Sequence, residues 1–142
     1  MIGGLVLDCF GVLYLPAAVA GKDDLELVVN ERLLEYAQSL RPGVKLGMLS
    51  NIAPGAMDKY FLPGQRQRLF DAVVLSGEEG LSKPHPSIYK IMAERLNLAA
   101  GECLLVDDSL DNCSGAAAAG MDSLLFQNTR QAIDEIRRRV IK

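Results

Sequence analysis

Apolar residues in this chain fall into short unbroken runs, separated by longer stretches with a helical period. Five runs read as strands: Ile2 to Asp8, Val44 to Ser50, Ala72 to Ser76, Cys103 to Asp107 and Ser123 to Phe126. Near-continuous apolarity, rather than strict alternation, marks strands covered on both faces. Leu25 to Leu40 places Val29, Leu33, Leu34, Ala37 and Leu40 at helical spacing and stops before Arg41-Pro42-Gly43. Pro86 to Leu98 begins with proline in the first turn and lines up Ile88, Ile91, Met92 and Leu96. Asp111 to Gly120 is rich in alanine and ends on glycine. Thr129 to Ile141 opens on a capping residue type and carries Ile133, Ile136 and Val140 on one stripe. Ile52 to Leu69, broken by Pro54, Gly55, Pro63 and Gly64, predicts short helical turns.

Strands alternating with helices predict right-handed crossovers and a parallel sheet between two helix layers. At 142 residues, with no repeat or linker, the expectation is one domain spanning 1–142. Charge removes some function classes. A net charge of -3 gives no electrostatic footprint for nucleic acid or an anionic membrane. The basic cluster Arg137, Arg138, Arg139 and Lys142 complements the negative end of the last helix. No apolar run reaches the roughly 18 residues of a membrane span. Cys9, Cys103 and Cys113 are odd in number and lack zinc-site spacing, which points to reduced thiols and a cytoplasmic location.

In an open parallel sheet, ligands bind beyond the carboxyl ends of the strands. Those ends carry Asp8, then Ser50-Asn51, then Asp107-Asp108 followed by Ser109 and Asn112, while Lys83 precedes the Pro86 helix. Three carboxylates brought together repel unless a cation joins them, and hard oxygen ligands suit Mg²⁺. A lysine and a magnesium ion would neutralise a phosphate, and a serine hydroxyl with turn amides would hydrogen-bond its oxygens. Asp8 is then placed to attack phosphorus.

Taken together, these segments make the chain resemble the haloacid dehalogenase superfamily, whose members are chiefly phosphatases. The first family motif, D-x-D-x-T/V-L/V after a hydrophobic strand, is matched by Asp8-Cys9-Phe10-Gly11-Val12-Leu13 except at Phe10. Ser50 matches the second motif, with Asn51 following as in many members. Lys83, within Ser82 to Tyr89, matches the third. Val106 to Asn112, and then Ala119-Gly120-Met121, match the fourth. The resemblance implies a Rossmann-like three-layer fold. It also implies Mg²⁺ held by Asp8, Asp108, the Phe10 backbone carbonyl and Asp107, with catalysis by Asp8, Lys83 and Ser50. Ser50, Asn51, Lys83, Cys9, Phe10 and Gly11 would bind substrate. Ser109 and Asn112 would support them, Asn112 by orienting Asp108 or Lys83.

Phe10 departs from the pattern. In family phosphatases the aspartate at this position protonates the leaving group and then activates water. Phenylalanine keeps the backbone carbonyl and loses general acid/base assistance worth about 10²–10⁴-fold, or about 3–5 kcal/mol. Substrates with good leaving groups suffer least. The readings are therefore a weakened Mg²⁺-dependent phosphohydrolase, a degenerate phosphate- and metal-binding or regulatory protein, and, as a minor alternative, a 2-haloacid dehalogenase. The last also carries an aromatic residue there but lacks the paired aspartates. His85 is expected in a turn or surface role.

Many relatives insert a helical cap between the first and second motifs. Here the Leu25–Leu40 helix and second strand take up most of that interval, leaving a short flap at Tyr14 to Asp24 lined by Leu15, Pro16, Val19 and Ala20. An open site of this kind suits a phosphorylated small molecule or macromolecule end, or a partner or second copy of the chain that covers it.

Overall fold

A computed structural model describes residues 1–140. The chain opens with β1 (Gly4–Leu7), a hairpin of β2 (Tyr14–Ala17) and β3 (Glu26–Val29), and α1 (Glu31–Ser39). β4 (Lys45–Ser50), a 3₁₀ turn (Ala56–Lys59), the short α2 (Gln65–Leu69), β5 (Ala72–Leu75), α3 (Ser76–Glu79) and α4 (Pro86–Arg95) follow. A second 3₁₀ turn (Ala100–Glu102) leads to β6 (Cys103–Asp107), α5 (Leu110–Ala118), β7 (Asp122–Leu125) and α6 (Thr129–Val140). The five-stranded sheet has the order β5-β4-β1-β6-β7, every pair parallel. All five apolar runs became its strands.

Side-chain alternation along the strands divides the core in two. Leu5, Leu7, Leu46, Met48, Leu104 and Val106 face a layer made by α1 and α6, where Leu33, Ala37, Ile133 and Ile136 complete the packing. Val6, Leu49, Cys103 and Leu105 face α4 and α5, against Ile88, Tyr89, Met92 and Ala116. Burial on both faces is why these strands read as continuous apolar runs. No helix among the described residues is long and apolar enough to cross a membrane.

Two expectations change. The helix predicted from Leu25 begins only at Glu31, because Glu26–Val29 is a strand paired antiparallel with Tyr14–Ala17. The expected flap is thus one arm of a β-hairpin. Asn30 separates the hairpin from α1: its Oδ1 accepts the Leu33 N–H as an N-cap, while its Nδ2 donates to Val12 O and Thr129 Oγ1. At α6 the capping oxygen is Asn128 Oδ1, which accepts from Gln131 N–H, so Thr129 is not the cap. The predicted end of that helix at Ile141, and Lys142 of the basic cluster, lie outside the described residues.

Candidate active site

β1 is the central strand, flanked by β4 and β6. Its ladder runs on past Leu7, since Asp8 N–H donates to Val106 O. Asp8 therefore leaves the sheet beside the ends of β4 and β6, and Ser50 and Asp107 are the last residues of those strands. One sheet edge gathers three of the expected groups.

Lys83 joins them from the loop before α4. Its Nζ donates to Asp8 Oδ1 at 2.9 Å, to Asp107 Oδ2 at 2.7 Å and to Leu49 O at 3.0 Å. All three protons of the ammonium are used, and the side chain is buried. Asn51 fixes the loop carrying it: Asn51 Oδ1 accepts from Lys83 N–H and Asn51 Nδ2 donates to Lys83 O. α5 closes the other side. A Cβ added to Gly115 would lie 2.4 Å from Pro84 O, so only glycine lets the helix approach the lysine loop this closely.

The two neighbouring aspartates differ. Asp107 is fully buried, with Oδ1 accepting from Ser109 N–H and Oδ2 from Lys83 and from Asn112 Nδ2. Asn112 thus reaches Asp107, rather than the expected Asp108 or Lys83 ammonium. Ser109 Oγ caps α5 by accepting from Asn112 N–H. Asp108 is exposed and lies over Gly11, where a Cβ would stand 2.2 Å from its Oδ2. Gly11 has φ +92°, so its backbone favours glycine.

Carboxylate oxygens of Asp8, Asp107 and Asp108 lie within 4.8 Å of one another. Burial pushes the Asp8 carboxyl up to about 7, opposed by Lys83 and reinforced by Asp107 and Asp108. A hard divalent cation would relieve that repulsion, and the all-oxygen donor set suits magnesium. Ser50 Oγ is buried without a hydrogen-bond partner among the described residues. A buried hydroxyl left unsatisfied costs about 1–3 kcal/mol, and a phosphate oxygen would satisfy it. The residues present fit both groups.

Other expected contacts are engaged within the protein. Cys9 N–H donates to Asp8 Oδ1 and Gly11 N–H to Tyr14 O. The Cys9 thiol, driven by burial and by Asp8, rises to about 12 and is no nucleophile at neutral pH. His85 caps α4, its Nδ1 accepting from Ser87 N–H. Phe10 points into an aromatic cluster, its ring 4.8 Å from that of Tyr60 and 6.2 Å from that of Tyr14. Tyr14 Oη in turn donates to Tyr60 O. Sequence reasoning missed this cluster, since its members lie up to 50 positions apart (Phe10 to Tyr60). Three clefts of about 340, 280 and 370 Å³ lie elsewhere, around Phe70, Leu34 and Leu62, and none includes Asp8.

Residues 9–120 match the family model of haloacid dehalogenase-like hydrolases. A phosphatase from Mycobacterium tuberculosis is 32% identical over 100 residues, covering 70% of this chain and 46% of that protein. Two other curated relatives are covered over 9% and 40% of their length, so the chain spans less than half of each. Among solved structures, an uncharacterised protein from Corynebacterium glutamicum superposes with TM-score 0.78 at 31% identity, covering 97% of this chain and 94% of its own. A haloacid dehalogenase family enzyme from Bacteroides thetaiotaomicron, solved with magnesium and inorganic phosphate, shares the fold at TM-score 0.72 and 18% identity, over 89% of this chain and 95% of its own.

Proposed function

The chain belongs to the haloacid dehalogenase-like hydrolases, and from that premise we propose that it is a Mg²⁺-dependent phosphohydrolase working through an aspartyl-phosphate on Asp8. The observation that carries this reading is the buried Asp8–Lys83–Asp107 cluster beside the Ser50 hydroxyl, which has no partner among the described residues. Both hydrogen bonds to Asp8 fall on Oδ1, which leaves Oδ2 as the attacking oxygen.

In this mechanism Ser50 donates to a phosphoryl oxygen and Lys83 adds positive charge beside it. Asp8 Oδ2 forms a bond to phosphorus as the bond to the leaving oxygen breaks, and the electron pair departs on that oxygen. Water then attacks the phosphorus and releases phosphate, regenerating the Asp8 carboxylate. Asp107 and Asn112 position Lys83. Asp8, Asp108, the Phe10 carbonyl and Asp107 would hold Mg²⁺, which supplies charge neutralisation of the phosphoryl group. Phe10 moves no proton in either step. The hairpin Tyr14–Val29 is the cover nearest this sheet edge in sequence, so the site stays open to a phosphorylated small molecule, a macromolecule end or a second chain. The reduced, buried thiols suit a cytoplasmic setting.

The experiment is release of 4-nitrophenol from its phosphate with Mg²⁺, with EDTA, and with Asp8→Asn. Turnover that needs Mg²⁺ and disappears in Asp8→Asn supports the reading; turnover that survives in Asp8→Asn refutes it. The packing of Phe10 against Tyr60 favours a second reading, a phosphate-binding protein without turnover. That protein would bind beryllium fluoride with Mg²⁺ and release no phosphate even from an acyl phosphate.

A further inference from the structure

The turn after Asp8 carries an aromatic surface to which the mechanism assigns no chemistry. Phe10 stands two residues from the nucleophile, within roughly 7 Å along the chain. Its ring meets Tyr60 edge to face at 4.8 Å, and Tyr60 meets Tyr14 in the same manner at 5.4 Å. All three side chains are only partly buried. Tyr14 is fixed through its hydroxyl on Tyr60 O at 2.8 Å, so the cluster is held as a unit. Across the site, Gly11 abuts Asp108, and two residues further on Leu110 opens α5 with 68% of its surface exposed. The turn that carries the nucleophile thus also carries one ring of a partly accessible aromatic pair.

We infer that Phe10 and Tyr60 form a platform for the leaving group, and that the substrate class is a phosphate monoester of a planar, apolar alcohol, an aryl or enol phosphate. This rests on the phosphohydrolase reading and names its substrate. Two independent requirements meet in that class. A phenol or enol oxygen departs as an anion without a proton donor, which Phe10 does not supply. A flat apolar body gains offset or edge contacts with the accessible parts of these rings, where a sugar or polyol would lose hydration without repayment.

The test is equilibrium binding by titration calorimetry with Mg²⁺, using phenylphosphonate and methylphosphonate, which cannot turn over. Wild type and Asp8→Asn are expected to bind the phenyl compound more tightly by roughly 2- to 10-fold. Tyr60→Leu and, separately, Tyr14→Leu, which frees Tyr60 from its hydroxyl anchor, should erase that preference while methylphosphonate affinity is retained. Thermal melts establish that each variant is folded, and two independent positions guard against one failing. Equal affinity for the two phosphonates, or a phenyl preference that survives in both leucine variants, overturns the platform alone. Binding of neither compound overturns the platform and the phosphohydrolase reading together.

Discussion

Restoring an acid at position 10 should change the shape of the progress curve as well as its slope. In the turn after Asp8, Phe10 offers no ionisable group for proton transfer. Tyr14 Oη is committed to Tyr60 O, and His85 Nδ1 is committed to the Ser87 N–H at the start of α4. On the proposed mechanism, the contribution missing at position 10 is about 10²–10⁴-fold per step that needs it, or about 3–5 kcal/mol. The two half-reactions do not need it equally. Nitrophenolate leaves well unprotonated, whereas water attacking the phosphorylated Asp8 lacks its base whatever the substrate. On the proposed mechanism, dephosphorylation would then limit turnover and the phosphoenzyme would accumulate. Stopped-flow release of 4-nitrophenolate should show a burst approaching one equivalent of enzyme, then a slow steady state. Phe10→Asp should abolish the burst and raise the steady-state rate toward that range. The substitution also removes ring contacts with Tyr60 and Tyr14 and costs about 1–3 kcal/mol of stability, so melts must accompany it. A wild-type curve without a burst, together with an unchanged rate in Phe10→Asp, would refute the reasoning.

Three further outcomes follow from particular contacts. Ser50→Ala removes a buried hydroxyl that has no partner among the described residues, so the melting temperature of the ligand-free protein should not fall, while calorimetric affinity for phosphate with Mg²⁺ should weaken by about 1–1.5 kcal/mol. Gly115→Ala forces α5 against the Pro84 carbonyl; urea unfolding should show a loss of about 1–3 kcal/mol and the phosphatase rate should drop as Lys83 shifts. Burial tends to raise the Asp71 carboxyl, but the Leu46 N–H and the Arg41 guanidinium outweigh it and hold the group below its usual 3.8. Its stabilisation is thus complete above 3.8 and fades as pH falls through the lower folded value. The stability gap between wild type and Asp71→Asn should therefore be open at neutral pH and close in acid, and a gap independent of pH would contradict this.

The strands were legible because each is buried on both faces and so carries an unbroken apolar run. The sheet-edge residues were legible because Asp8, Ser50 and Asp107 stand at or just past those run ends. The β3 error has an equally local cause. Glu26-Leu27-Val28-Val29 continues the stripe of α1, and periodicity alone does not separate a short apolar run from a helical turn. The discriminating signal was Asn30, an N-cap residue three positions before Leu33, preceded by two β-branched valines. The aromatic cluster around Phe10 carried no local signal at all. It exists because the loop after β4 folds back over the turn after β1, a tertiary event. The same holds for Asn51: its type and place were evident, but its grip on the Lys83 peptide depends on a loop 32 residues away.

Asn30 gives the molecule a property beyond holding a helix end. Its N–H bonds Leu13 O at 2.6 Å and its side chain bonds Val12 O, so the chain leaves the sheet layer and returns to it at one stitched point. Beyond Tyr14 and Leu15, which pack back on the core, the segment up to Val29 lies outside that stitch. The entropy of closing such a loop grows only slowly with its length. The sheet, its two cores and the Asp8–Lys83 cluster can therefore carry a hairpin, a longer arm or an entire inserted unit at this point without being rebuilt.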